Sequence, residues 1–113
     1  MNFYELLQEI KRRPALYLSR KSIFDFHSFL QGYEIARINL GFTKTEEEIE
    51  FDDFLEWLRE ICPVKTHHTW ANLILFYSAD ERDALDKLFA LFDDYQAQEH
   101  NETENDDGSK EEK

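Results

Sequence analysis

The sequence predicts an all-α fold: a compact single-domain bundle of about five helices with a disordered acidic C-terminal tail. Three observations lead there. Apolar residues recur at i, i+3, i+4 and i+7 in successive segments, which is the spacing of one helix face. Glycine occurs three times and proline twice in 113 residues, too few to punctuate the many turns of an all-β chain. Three segments open on a small polar residue with an acid three positions later, the signature of a helix N-terminus.

Asn2 with Glu5 has the spacing of a capping box. Phe3, Leu6, Leu7 and Ile10 then supply the buried face of a first helix. Lys11, Arg12 and Arg13 suit the negative end of its dipole, and Pro14 stops it. Residues 15–20 read as an extended connection carrying Leu16, Tyr17 and Leu18. Ser22 with Asp25 repeats the capping arrangement and opens the longest helix, residues 23–40, with Phe26, Phe29, Leu30, Tyr33 and Leu40 as its core stripe. Gly41 stands where a left-handed C-cap is wanted. Gly32, mid-helix at a cost of about 1 kcal/mol relative to Ala, points to close packing by a neighbour.

Residues 43–50 are polar and are expected to form a loop or a frayed first turn. Phe51, Phe54, Leu55, Leu58 and Ile61 return to helical spacing with Trp57 beside the stripe, and Pro63 ends that element. The segment WANLILFY, residues 70–77, reads as a buried strand or as a helix apolar on most sides. Trp70, Leu73, Ile74 and Tyr77 fit the helical template, and no second strand candidate exists to pair with it, so a helix is predicted. Ser78 with Glu81 forms a third capping signature. Leu85, Leu88, Phe89, Phe92 and Tyr95 make a stripe that ends near Gln96. Beyond it no bulky apolar side chain remains, which divides the chain into a helical domain, 1–97, and an acidic tail, 98–113, expected to be disordered.

The formal net charge is −12, and it is unevenly spread. Residues 1–44 carry seven Lys/Arg against four Asp/Glu, residues 45–97 four against fourteen, and residues 98–113 two against seven. A one-sided negative field raises the encounter rate with a basic partner. It argues against direct contact with nucleic acid, because phosphate binding is driven by Lys and Arg. The densest run is Glu46, Glu47, Glu48, Glu50, Asp52, Asp53 and Glu56, and these seven carboxylates are the candidate partner-binding residues. The macrodipole accounts for acids early in a helix, here Asp52 and Asp53. A second set, Asp80, Glu81, Asp83 and Asp86, is explained mostly by capping. Asp93 and Asp94 fall at the end of the last predicted helix that the dipole disfavours.

Little in the chain points to catalysis. Cys62, His67 and His68 are too few and wrongly spaced for a zinc site, which needs three or four ligands in defined pairs. There is no Gly-rich phosphate loop and no nucleophile elbow. His27, between Phe26 and Phe29, reads as a half-buried packing residue. No catalytic residue, metal or cofactor is therefore expected. A single cysteine excludes an internal disulfide and fits a reducing cytoplasm. The first residues carry no basic and apolar leader pattern, and no apolar run reaches the roughly 18 residues of a membrane span. A cytoplasmic location is expected, with no membrane contact.

Two stretches are family-like. Arg13-Pro14-Ala15-Leu16-Tyr17-Leu18, then Lys21-Ser22-Ile23 and Phe29-Leu30-Gln31-Gly32-Tyr33, resembles the opening of a group of small bacterial proteins. Trp70-Ala71-Asn72-Leu73-Ile74-Leu75-Phe76-Tyr77-Ser78, followed by Asp80-Glu81 and Ala84, resembles that group's C-terminal half. Ser19 departs from the group, which has Gly there. The group is similar to immunity proteins of contact-dependent growth inhibition and related polymorphic toxin systems. The resemblance implies an inhibitor that performs no chemistry and binds a cognate toxin protein, with a basic nuclease domain the first candidate. A monomer that forms a heterodimer with the toxin is expected. Two other readings stay open at the level of sequence: an acidic nucleic-acid mimic acting on a host DNA- or RNA-binding protein, and a homodimeric structural or adaptor protein. Trp57, Trp70 and Tyr17 are candidates either for the core or for an interface.

Overall fold

A computed structural model describes residues 1–61 and 69–112, with side chains described for residues 1–61 and 69–99. The described residues form six helices and no strand: α1 (Phe3–Arg12), α2 (Pro14–Tyr17), α3 (Ile23–Asn39), α4 (Glu46–Ile61), α5 (Trp70–Phe76) and α6 (Glu81–Glu112). The apolar stripes account for the packing. Phe3, Leu7 and Ile10 of α1, Ile23 and Phe26 of α3, Phe51, Phe54 and Leu58 of α4, Ala71 and Ile74 of α5, and five large residues from Leu85 to Tyr95 of α6 are all buried in one core. Phe51 is its hub, with ring centroids 5.6 Å from Phe3, 6.4 Å from Phe26 and 5.0 Å from Phe92. Edge-to-face and tilted ring pairs of this kind add about 0.5–1.5 kcal/mol each to their area burial. Every buried side-chain N or O atom among the described residues has a hydrogen-bond partner. Trp57, Trp70 and Tyr17 are half-buried and pack against the core.

The ambiguous segment is helical, as its spacing predicts. Thr69 caps α5, its hydroxyl accepting the Asn72 N–H at 3.4 Å. The Asn2–Glu5 capping box is complete, with both reciprocal bonds present. Gly41 has φ +83°, and Gly41 and Phe42 donate their N–H groups back to the Ile38 and Arg37 carbonyls at 3.0 and 2.9 Å. That is a Schellman ending of α3.

Several local expectations are corrected. Pro14 does not only stop α1; its fixed φ also suits the first position of a helix, so residues 14–17 close one turn where an extended connection was expected. Ser22 caps α3 through the Phe24 N–H (3.1 Å), while Asp25 reaches past it to accept from the Arg20 N–H at 2.8 Å. Gly32 is exposed, and a Cβ placed there meets nothing within 4 Å, so no neighbour demands it. Leu40, Ile61 and Tyr77 are 74%, 53% and 49% exposed, because each sits at a helix end beyond the packed turns. α6 is capped by Asp80, whose carboxylate accepts the Asp83 N–H at 2.8 Å, and Ser78 instead donates to the Ile74 carbonyl at 2.7 Å. The helical backbone of α6 continues to Glu112, past the Gln96 where its apolar stripe ends. No proline interrupts it, and the residues that follow Gln96 include the helix formers Ala, Gln and Glu. Asp93 and Asp94 are therefore interior to α6, and Asp93 pairs with Lys11 at 3.3 Å. The expectation of a disordered tail concerns residues that, from residue 100 on, have side chains outside the described ones. Ser19 needs no glycine-like backbone, since no non-glycine residue among those described has positive φ.

Candidate functional site

The acidic run lies on α4, and the helix begins earlier than the sequence reading places it. Thr45 and Glu48 make the reason visible. The Glu48 N–H donates to the Thr45 hydroxyl at 3.2 Å, and the Thr45 N–H donates to the Glu48 carboxylate at 3.2 Å. This is a reciprocal capping box, and its T-x-x-E signature stands in the sequence where a loop was expected.

A helix turns about 100° per residue, so seven carboxylates in eleven positions cannot share one face. Glu47 and Glu50 point toward α1 and α6. Glu47 accepts the Tyr4 N–H at 3.2 Å; Glu50 accepts the Tyr4 hydroxyl and the Gln96 amide, the latter at 3.1 Å. Burial and the Glu50 carboxylate together hold the Tyr4 phenol well above its usual range. Glu48 and Asp52 point toward α3 and the loop after it. Glu48 is 9% exposed and pairs with Arg37, while Asp52 pairs with Lys44, whose ammonium also lies 3.3 Å from Glu34. The hydrogen bond to Asp52 raises the Lys44 pKa.

Glu46, Asp53 and Glu56 are left on the solvent side. Glu46 and Asp53 have no ion-pair partner among the described residues, and Glu56 has only Arg59 at 4.0 Å. Ile49, 47% exposed, lies in the same stripe. The run therefore splits into four carboxylates that tie α4 to its neighbours and three that face outward around an apolar side chain. The second acidic set is also internally engaged. Asp86 pairs with Lys21 at 2.9 Å, Glu81 accepts the Ser22 hydroxyl at 3.0 Å, and Asp83 accepts the Ala79 N–H at 2.8 Å.

Between α3 and α4 lies an open cleft of about 260 Å³ with Leu30, Phe51, Leu55 and Trp70 in its walls. His27 stands on its edge, perpendicular to Trp70 with centroids 5.0 Å apart, and burial lowers its pKa. Among the described residues no Ser, Thr or Cys in the cleft lining is placed to give up a proton to His27. Among the described residues no group of three or more His, Cys, Asp or Glu is placed to hold a metal ion. Cys62, His67 and His68 lie outside the described residues. No helix in the described residues is long and apolar enough to cross a membrane.

The sequence reading missed the exposed apolar side chains around the end of α3. Ile35, Ile38, Leu40 and Phe42 are 59%, 61%, 74% and 58% exposed. The buried residues of α3, Ile23 and Phe26, lie in its first turns, while its last turns meet their neighbours through half-buried Tyr33 and the Arg37–Glu48 pair and leave these apolar side chains uncovered. Comparison with protein-family models, curated proteins and solved structures finds no match for this chain.

Proposed function

We propose that the protein is an inhibitory binding partner, an immunity protein that neutralises a basic toxin domain, with a nuclease the first candidate. The observation that carries this reading is the solvent stripe of α4, where Glu46, Asp53 and Glu56 face outward around Ile49 while the other carboxylates of the run are engaged within the fold. Exposed carboxylates repel one another and are favoured near a cationic surface, and an apolar residue among them supplies area that is lost from water on contact. Such a surface competes with phosphate for the same basic site, and occupancy of that site is enough to silence a nuclease.

The test is a capture experiment with two baits, the native chain and a Glu46→Lys/Asp53→Lys/Glu56→Lys variant, in lysate of the source cells. A basic protein retained by the first and lost by the second is then purified. Its affinity is measured at about 50 and 300 mM salt, and its nuclease activity with and without the bound chain. Equal retention by both baits, or a retained protein whose activity the native chain leaves unchanged, overturns the reading.

A further inference from the structure

We propose that the cleft between α3 and α4 is a socket for an arginine side chain of the basic partner, a source that rests on the proposed function. Two half-exposed carboxylates stand at its mouth, Glu34 from α3 and Asp52 from α4. One cation serves both: the Lys44 ammonium is 3.3 Å from Glu34 and also pairs with Asp52. Glu48, the third carboxylate of the lining, is matched by Arg37 at 2.9 Å. His27 adds no charge near neutral pH, because burial lowers its pKa. Three carboxylates thus face two cations, and the unmatched negative charge lies beside walls of Leu30, Phe51, Leu55 and Trp70. The complement of that arrangement is a cationic head on an apolar stem.

Size selects a side chain over a free ligand. The cleft measures about 260 Å³, under the range of roughly 300–1,000 Å³ that encloses a drug-sized molecule. A guanidinium suits it better than an ammonium, being planar, weakly hydrated, forked toward carboxylates and attracted to aromatic walls such as Trp70. Lys44 is a resident cation that can be exchanged. Its side chain is 43% exposed, and ion pairs this open to water are weak, so an incoming guanidinium takes its place without disturbing the core. The cleft also adjoins the outward stripe of α4. Ile49 lies three positions before Asp52 and Glu56 four after it, which makes both its surface neighbours on the helix. A partner seated on that stripe has side chains within reach of the cleft, and an arginine filling it is the buried anchor that such an interface needs.

The probe is Nα-acetyl-arginine amide, titrated to about 20 mM into the isotopically labelled full chain at a constant ionic strength of about 50 mM. Blocked citrulline, its uncharged isostere, is the control. The arginine should bind saturably with a Kd on the order of 1 mM and shift the backbone signals of Leu30 and Leu55 and the Trp70 indole N–H. Glu34→Gln, at an exposed position paired with Lys44, should weaken binding at least about threefold with an unchanged circular dichroism melt. Lys44→Met removes the competing cation and should tighten binding about threefold or more. Lys11→Met removes the same charge at the distant pair with Asp93 and should leave binding as it is. No saturable binding, equal binding of citrulline, shifts centred outside the cleft, or equal effects of Lys44→Met and Lys11→Met overturn the proposal. These titrations contain no partner, so they fail independently of the capture experiment: a toxin retained by a chain whose cleft ignores arginine removes the socket and leaves the inhibitor reading standing. With a captured toxin in hand, Glu34→Gln should lower its affinity about tenfold, and an unchanged affinity overturns the assignment of the socket to that partner.

Discussion

Arg37 and Glu48 meet in a two-pronged ion pair, Nη2 to Oε1 at 2.9 Å and Nε to Oε2 at 3.1 Å, joining the end of α3 to the start of α4. The same carboxylate caps α4 through Thr45, and the same guanidinium donates to the Thr43 carbonyl at 3.1 Å and covers the Phe42 ring. One pair thus fixes the loop, the helix start and the exposed aromatic together.

Breaking that pair from the two sides should give unequal results. Arg37→Met leaves Glu48 charged, 10% exposed at its side chain and without its cation, a loss of about 2–4 kcal/mol. Glu48→Gln still accepts at the cap and leaves the more exposed partner unpaired, so about 1 kcal/mol is expected. Urea unfolding of both variants and of the double variant measures the difference. Arg37→Met within about 0.5 kcal/mol of the native chain would show that the pair contributes nothing net.

Charge reversals along α4 should separate the two classes of carboxylate. Asp53→Lys and Glu56→Lys touch no internal partner beyond the 4.0 Å contact to Arg59, and their thermal midpoints should stay close to native. Glu46→Lys, in the first turn, loses only a dipole contribution of about 0.3–1 kcal/mol. Glu50→Lys removes the acceptor of both Tyr4 and Gln96 and should cost about 2–3 kcal/mol. Equal melting curves for the Glu50 and Asp53 variants would contradict the division.

Helix identity was legible because it rests on periodicity and caps, which are local. The Phe51, Phe54 and Leu58 stripe and the Gly41 ending could be read directly, and so could the helical spacing of Trp70, Leu73 and Ile74. What stayed hidden depends on which helix lies opposite. A heptad-like spacing says that Leu40 and Phe26 share a helix. It does not say that one faces a neighbour and the other overhangs, at 74% and 0% exposure. The acidic run was legible as a cluster, but its division needed the positions of Tyr4, Arg37, Lys44 and Gln96, which come from four other parts of the chain. Thr45 was a different kind of miss. Its capping signature was present, and the polar composition around it outweighed it.

Tyr4 should set part of the alkaline limit of stability. Burial, with the Glu50 hydrogen bond second, raises its phenol above the ordinary value near 10. The folded state therefore keeps a proton that the unfolded chain releases, so this stabilisation is full below about pH 10 and is lost as pH rises further. Tyr4→Phe should cost about 1–2 kcal/mol at neutral pH and flatten the alkaline decline. Tyr95, raised mainly by burial, contributes in the same direction. Urea midpoints at about pH 8, 10 and 11 decide it, and a Tyr4→Phe curve running parallel to the native one would remove Tyr4 from the account. At the acid end the sign reverses. Burial depresses the His27 pKa, so its contribution is present above about pH 6.5 and lost as pH falls.

The two glycines of α3 and its ending should respond in opposite directions to the same substitution. Gly32 is exposed in the middle of the helix, and a methyl group at its Cα would meet nothing within 4 Å. Gly32→Ala therefore removes backbone freedom from the unfolded chain and encounters no obstacle in the folded one. It should stabilise the fold by about 0.5–1 kcal/mol. Gly41 also has open space around it, yet its φ of +83° is one that an L side chain adopts only with strain. Gly41→Ala should therefore destabilise by about 1 kcal/mol or more, and it should loosen the Phe42 N–H bond to the Arg37 carbonyl. Thermal melts give the two signs, and amide hydrogen exchange at Phe42 reports the loosened ending. A destabilised Gly32→Ala would mean that a neighbour does pack against that turn, restoring the close-approach reading that the exposed position excludes.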